Sequence, residues 1–164
     1  MKLSDQAKCT LYHSPLGPMT LAAAGGQLVG VWFADQAHLP DLSGCVDEPD
    51  HPVLRLAAAQ LSDYFAGQRR GFELPLKLDG GSAFQNAVWQ ALLGIEFGST
   101  RSYGFVSAQL GKPKALRAVG AAVGRNPLSI IVPCHRVIGA DGSLTGYAGG
   151  LPRKIALLQL EGAL

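Results

Sequence analysis

Short apolar runs punctuated by turn residues fill the first third of the chain. Residues 8–13, 19–24 and 28–33 are strand-like in length and composition, which predicts three strands. The string Ser14-Pro15-Leu16-Gly17-Pro18 and the pair Gly25-Gly26 separate them as turns, so the three read as an antiparallel meander. An acidic stretch containing Pro and Gly, from Asp35 to Pro52, reads as an exposed connection. A helical period follows. Leu54, Leu61 and Phe65 fall at helical spacing, which predicts a helix over 53–65 with Pro52 at its start and Gly67 as its stop. Residues 72–78 alternate and read as a last strand.

Beyond residue 80 the pattern is helical. Ser82-Ala83-Phe84-Gln85 has the Ser-x-x-Gln form of a capping box and opens a helix over 83–93, with Phe84, Val88 and Leu92 on one face. Two further helices, 103–110 and 113–123, meet at Gly111-Lys112, the second opened by Pro113. A short helix, a tight glycine turn and a second helix form a helix-turn-helix pattern. In the second of these, Leu116, Val119 and Val123 fall inward, while Lys114, Arg117, Ala118, Ala121 and Arg125 fall outward. Small side chains let a helix backbone approach a partner and cations meet phosphates, so this face suits nucleic acid. A glycine-rich loop occupies 139–150, and Pro152 opens a final helix through Leu160. The fold class is α/β in the α+β sense: an N-terminal lobe (1–80) of sheet and helix, and a mainly helical C-terminal lobe (81–164).

One apolar run breaks the pattern. Ile131-Val132-Pro133-Cys134-His135-Arg136-Val137-Ile138 sets a cysteine beside a histidine and an arginine inside a frame that elsewhere would be a buried strand. Pro133 denies that frame a regular ladder hydrogen bond. A thiol of ordinary pKa, about 8.5, is only a few per cent ionised at neutral pH, so a nucleophilic role requires a base or a positive surrounding. His135 is the nearest base, but neighbours on an extended chain point to opposite sides; a turn, or an intervening water, would join them. A carboxylate to orient the histidine must come from Asp141 or Glu161, the two acids after position 100, and Glu161, at the end of an apolar helix, suits the role better.

The chain has 164 residues, 48% of them apolar and 16% charged, with a net charge of +2. That charge is unevenly divided. Residues 1–100 carry 6 Lys/Arg against 10 Asp/Glu, and residues 101–164 carry 8 against 2, so −4 faces +6. The basic half holds Cys134, and on charge alone it suits equally a polyanionic partner, with nucleic acid the leading candidate, or a solvated basic face. No apolar run reaches the length of a membrane span, and the N-terminus lacks a signal peptide's apolar core, so a cytoplasmic protein is expected. Cys9, Cys45 and Cys134 are odd in number and far apart, which predicts no disulfide framework. His13, His38 and His51 match no zinc spacing with Cys9 or Cys45, so neither metal nor another cofactor is expected. Trp32 and Trp89 read as core, and Arg153 and Lys154 as surface cations.

The segment Arg125-Asn126-Pro127-Leu128-Ser129-Ile130-Ile131-Val132-Pro133-Cys134-His135-Arg136-Val137-Ile138-Gly139 resembles the active-site signature of the O6-alkylguanine-DNA alkyltransferases, the methylated-DNA–protein-cysteine methyltransferases. The likeness takes in Arg101-Ser102-Tyr103-Gly104, Arg117-Ala118-Val119-Gly120, Thr145-Gly146-Tyr147-Ala148-Gly149-Gly150 and Lys154 to Gly162; it is dense over 83–162 and looser before. The resemblance implies single-turnover direct-reversal DNA repair. Cys134 would accept an alkyl group from O6 of a flipped guanine, with O4-alkylthymine a further substrate. His135 would act as base through a water, held by Glu161. Tyr103 would protonate the leaving guanine, Asn126 would brace the turn before the cysteine, and Arg117 would fill the gap in the stack. Lys114, Ala118, Ala121, Arg125 and Arg136 would complete the DNA contact. Tyr147, Ala148, Val137 and Pro133 would wall the pocket. Many relatives carry Ser where Ala148 stands; a contact through the backbone N–H survives that change. The expected partner is double-stranded DNA bearing the lesion, with a monomer in solution. Two other readings stay open: a thiol hydrolase, which leaves the basic half unused, and a lesion-binding regulator, which needs no cysteine.

Overall fold

The computed structural model describes residues 3–164, a mixed α/β chain in two compact units, one ending at Lys77 and the other spanning Leu78–Leu164. In the first unit β1 (Lys8–Ser14), β2 (Gly17–Ala24) and β3 (Gln27–Phe33) form the expected antiparallel meander. Ser14 pairs with Gly17 across a two-residue turn, and Ala24 pairs with Gln27 across Gly25 and Gly26. Both glycines take positive φ, +58° and +76°, the conformation that tight hairpins demand and that other residues resist. Alternation sorts the strands by face. Met19, Leu21, Val31 and Phe33 are buried, as are Leu54, Ala57, Leu61 and Tyr64 of α1 (Pro52–Phe65), which packs on the sheet. Each large side chain removed from water here stabilises the unit by about 1.5–3 kcal/mol. Pro52 takes the first helical position, and His51 caps the helix by accepting from the Val53 N–H at 3.2 Å.

Three expectations for this unit fail. Residues 72–78 form no strand: Leu28 exchanges hydrogen bonds with Pro75 and Lys77, making one bridge opposite Leu76, and Pro75 lacks the donor to extend it. The acidic connection is more ordered than expected. Within it β4 (Val46–Asp47) pairs parallel to β1, giving the sheet order β3-β2-β1-β4. Next to that pairing Cys9 and Cys45 form a disulfide, their Cα atoms 6.0 Å apart. The prediction of no disulfide is therefore overturned. Sequence separation concealed the pairing, because only the parallel register of β4 on β1 brings the two residues together. The bond lies in an apolar cluster with Leu3, Ala7, Ala22 and Trp32.

The second unit is built from α2 (Ala83–Leu92), β5 (Arg101–Ser102), α3 (Tyr103–Gln109), α4 (Leu116–Gly124), a single 3-10 turn at Cys134–Arg136, β6 (Val137–Ile138) and α5 (Leu151–Leu160). The capping box forms: the Ser82 hydroxyl accepts from the Gln85 N–H, and the Gln85 side chain accepts from the Ser82 N–H. Trp89 fastens α2 to α4 by donating its indole N–H to the Ala122 carbonyl at 2.8 Å. Ser102 caps α3, and the Ser107 hydroxyl donates to the Lys112 carbonyl across the turn to α4. That turn, with Gly111 at φ +71°, runs longer than expected. Pro113 stays outside the helix, which begins at Leu116. β5 and β6 pair in parallel, which sets the start of α3 beside the strand that follows the cysteine. Among the described residues no helix is long and apolar enough to cross a membrane.

Candidate active site

The segment from Asn126 to Cys134 is a buried knot. Asn126 is 4% exposed and bonds both ends of it: its Oδ1 accepts from the Leu128 N–H at 2.9 Å, and its Nδ2 donates to the Val132 carbonyl at 2.8 Å and to Cys134 Sγ at 3.1 Å. Within the knot Ile130 sits at φ +74°, a conformation that costs a β-branched residue on the order of 1–3 kcal/mol. The strain persists because Asn126 and the burial of Leu128, Ile131 and Val132 fix the path on both sides. The chain then makes its 3-10 turn, so the cysteine and histidine do not alternate as on a strand.

Behind the thiol lies a closed polar network. His135 is fully buried, and its Nε2 lies 2.8 Å from Glu161 Oε2. Glu161, the C-cap of α5, also accepts from Arg136 Nε at 2.7 Å and Nη2 at 2.9 Å, while Arg136 Nη1 donates to the Ile95 carbonyl at 2.6 Å. The expected DNA contact by Arg136 is thus overturned. Its guanidinium is spent on a buried carboxylate, in the bidentate geometry that Arg forms best. Burial pulls the His135 pKa below its ordinary value; Glu161 opposes that shift, and the charges of Arg136 and Lys154 add to it. The neutral ring donates Nε2–H to Glu161. Its Nδ1, buried with no hydrogen-bond partner among the described protein groups, is then the basic nitrogen. Burial also pushes the Cys134 thiol up, opposed by the Asn126 hydrogen bond and the Lys154 charge.

Tyr103 opens α3, and its pKa is raised by burial, against a hydrogen bond from the Thr145 side chain. With Gly104, Leu116, Arg117, Gly120 and Ala140 it lines a cleft of about 380 Å³. Arg117, Ala118, Ala121, Arg125 and, in the preceding turn, Lys114 are exposed, as their spacing predicted. Leu116 was expected inside and is 49% exposed. It stands in the first turn of α4 beside Gly104, which has no side chain to cover it. Pro133 and Val137 are buried, and Tyr147 and Ala148 half-buried, in the segments flanking the thiol.

Lys154 was expected at the surface and is not there. It is fully buried, and its Nζ donates to the carbonyls of Val137, Thr145 and Gly146. A signal was present: Lys154, Leu157, Leu158 and Glu161 follow the 3–4–7 spacing of one helical face, and the other three are buried. Thr145 carried no comparable signal. Among the described residues no group of three His, Cys, Asp or Glu side chains comes together to hold a metal ion.

These features define a class: a protein with one free thiol, buried next to a His–Glu–Arg network, in the same unit as an exposed basic helix-turn-helix. Known proteins narrow the class. Residues 83–163 match the model of the 6-O-methylguanine DNA methyltransferase DNA-binding domain, and residues 7–78 that family's ribonuclease-like domain. A methylated-DNA–protein-cysteine methyltransferase of Mycobacterium leprae is 50% identical over 153 residues, covering 93% of this chain and 91% of its own. One from Methanosarcina acetivorans is 46% identical over 156 residues, covering 93% and 97%. The crystal structure of Mycobacterium tuberculosis OGT in complex with DNA aligns with a TM-score of 0.89 at 48% identity, covering 94% of this chain and 92% of that one. The chain belongs to the 6-O-methylguanine DNA methyltransferase family.

Proposed function

We infer that this chain repairs DNA by transferring the alkyl group of O6-alkylguanine to its own Cys134, once per molecule. The observation that carries the reading is the His135–Glu161 contact: Glu161 Oε2 lies 2.8 Å from Nε2, and Nδ1, on the residue next to Cys134 in sequence, is buried with no hydrogen-bond partner among the described protein groups. The thiol proton passes through a water to Nδ1, and the resulting imidazolium is held by Glu161. The thiolate forms a bond to the alkyl carbon as the carbon–O6 bond breaks. The electron pair stays on guanine, which takes a proton from the Tyr103 hydroxyl and leaves. The product is a thioether with no easy leaving group, so no second turnover follows.

O6 lies within the duplex stack, and reaching it means rotating the nucleotide out at a cost of a few kcal/mol. Arg117 lines the same cleft as Tyr103 and fills the gap in this reading. Lys114 and Arg125 meet phosphates, and Ala118 and Ala121 allow close approach, which suits docking in the minor groove. Tyr147, the Ala148 backbone, Val137 and Pro133 wall the guanine pocket. The protein acts as a monomer in the cytoplasm; a disulfide in a cytoplasmic protein is uncommon, and Cys9–Cys45 lies far in sequence from Cys134.

Incubation with an O6-methylguanine duplex followed by intact mass measurement tests the reading. One methyl is gained per chain, and the gain is lost in Cys134→Ser. No gain, or repeated turnover by one molecule, refutes it. Arg117→Ala slows transfer from duplex more than transfer from free O6-benzylguanine; equal losses on both remove Arg117 from base flipping.

A further inference from the structure

Lys154 is a buried cation that the reaction above does not use. An ammonium has three protons, and here the Nζ contacts go to three backbone carbonyls: Val137 at 2.6 Å, Thr145 at 2.9 Å and Gly146 at 3.3 Å. Those carbonyls lie on two different segments. Val137 begins β6, three residues after Cys134, while Thr145 and Gly146 belong to the loop that immediately precedes Tyr147 and Ala148. The Thr145 side chain in turn hydrogen-bonds Tyr103. Residues 139–146 carry little apolar anchorage of their own: Ala140, Asp141, Gly142, Ser143, Thr145 and Gly146 are all exposed. Burying an ammonium is costly, and a methionine of similar length would fill the same space without that cost.

We propose that Lys154 is a positioning residue for alkyl transfer, its ammonium tying the 139–150 loop to the strand after Cys134 and, through Thr145, setting the Tyr103 hydroxyl relative to the thiol. The inference builds on the proposed reaction. Lys154 touches no substrate; it acts through the loop and through its charge. A cation near Cys134 favours the thiolate, so the same side chain that shapes the pocket also raises the ionised fraction of the nucleophile. The clamp joins the two ends of the chemistry, the attacking sulfur and the acid that serves the leaving base.

The test compares wild type, Lys154→Met, Lys154→Arg and Thr145→Val in three measurements. In folded Lys154→Met, amide exchange of residues 144–148 accelerates about tenfold or more. Reaction of Cys134 with iodoacetamide drops about tenfold at a fixed pH below its midpoint, equivalent to a midpoint about one unit higher. Alkyl transfer falls on duplex and on free O6-benzylguanine alike, unlike the duplex-selective loss in Arg117→Ala. Lys154→Arg restores the iodoacetamide profile, because it keeps the charge, but only part of the transfer rate, because a planar fork does not match three converging carbonyls. Thr145→Val, at an exposed position, slows transfer without moving the iodoacetamide profile. A folded Lys154→Met with wild-type loop exchange and thiol profile overturns the proposal. Should Lys154→Met fail to fold, Thr145→Val decides: transfer at the wild-type rate overturns the chain from Lys154 to Tyr103. If wild type itself transfers nothing, the proposed reaction fails, while loop exchange and iodoacetamide still judge the clamp.

Discussion

Glu161→Gln keeps the shape of the network behind the thiol and removes its single negative charge. The carboxylate receives three donors, from Arg136 Nε at 2.7 Å, Arg136 Nη2 at 2.9 Å and His135 Nε2 at 2.8 Å. Glutamine offers one oxygen to them and brings an NH2 group against groups that are themselves donors. Arg136 is only 6% exposed, so its charge stays buried with the Ile95 carbonyl, the Phe97 ring and at most one neutral glutamine oxygen as partners. Removing one member of such a pair costs about 3–5 kcal/mol. Against a total stability of about 5–15 kcal/mol this is a large fraction, and for a chain of this size it lowers Tm by about 6–20 °C. The assay is urea unfolding at pH 8, above the titration of His135, for Glu161→Gln, Arg136→Met and the double variant. With the charge of Arg136 also removed, the penalty of an uncompensated cation disappears. The double variant is then more stable than the sum of the singles by about 2 kcal/mol, near the upper part of the range for residues in contact. A Glu161→Gln protein within about 1 kcal/mol of wild type, or a double variant equal to the sum of the singles, refutes the view that the carboxylate's main energetic role is to neutralise Arg136.

Three further outcomes follow from the same geometry. His135 titrates below its ordinary value because it is buried, so the unfolded chain binds its proton first on acidification. Stability is full above about pH 6.5 and falls as pH drops below it, with a slope of up to about 1.4 kcal/mol per unit; denaturation between pH 8 and pH 5 checks this, and a flat profile in wild type contradicts it. Cys134 reacts with iodoacetamide with a midpoint above the ordinary thiol value of about 8.5, and Asn126→Ala moves it further up by removing the Nδ2–Sγ hydrogen bond; a midpoint below the ordinary value would exclude the buried neutral thiol. The Cys9–Cys45 bond closes a loop with a sequence separation of 36, for which chain entropy gives about 4 kcal/mol. Dithiothreitol therefore lowers Tm, and Cys9→Ala abolishes that response; identical melting of oxidised and reduced protein argues against a stabilising bond.

The elements that local rules govern were legible in the sequence. Gly25-Gly26, Pro52, and Ser82 with Gln85 act within a few residues, and the β2–β3 hairpin, α1 and the capping box formed where those signals placed them. The reading lost accuracy where a partner distant in sequence decided the outcome. Arg136 looked like a phosphate contact because Glu161 lies 25 residues away, and Cys9 looked unpaired because Cys45 lies 36 away. Lys154 could have been placed by helical spacing alone; the expectation that lysines are solvated obscured it. Leu116 followed the apolar period of α4 and is nonetheless exposed, because the residue facing it, Gly104, contributes no side chain. In the candidate site, the adjacency of Cys134 and His135 was visible, but the 3-10 turn that takes them off a strand was not.

The Cys9–Cys45 pairing also settles how the chain's sulfur is distributed. The sequence has 3 cysteines, two are bonded to each other, and Cys134 is the free one. Dissolved in denaturant without reductant, an unreacted chain therefore presents a single titratable thiol. By the proposed reaction, a chain that has taken up an alkyl group presents none. A thiol titration of the stock thus reports the fraction of molecules still able to react, with no labelled DNA and no second cysteine to subtract. It also makes Cys134 a unique attachment point: any thiol-directed tag on the oxidised protein marks that residue and simultaneously blocks it.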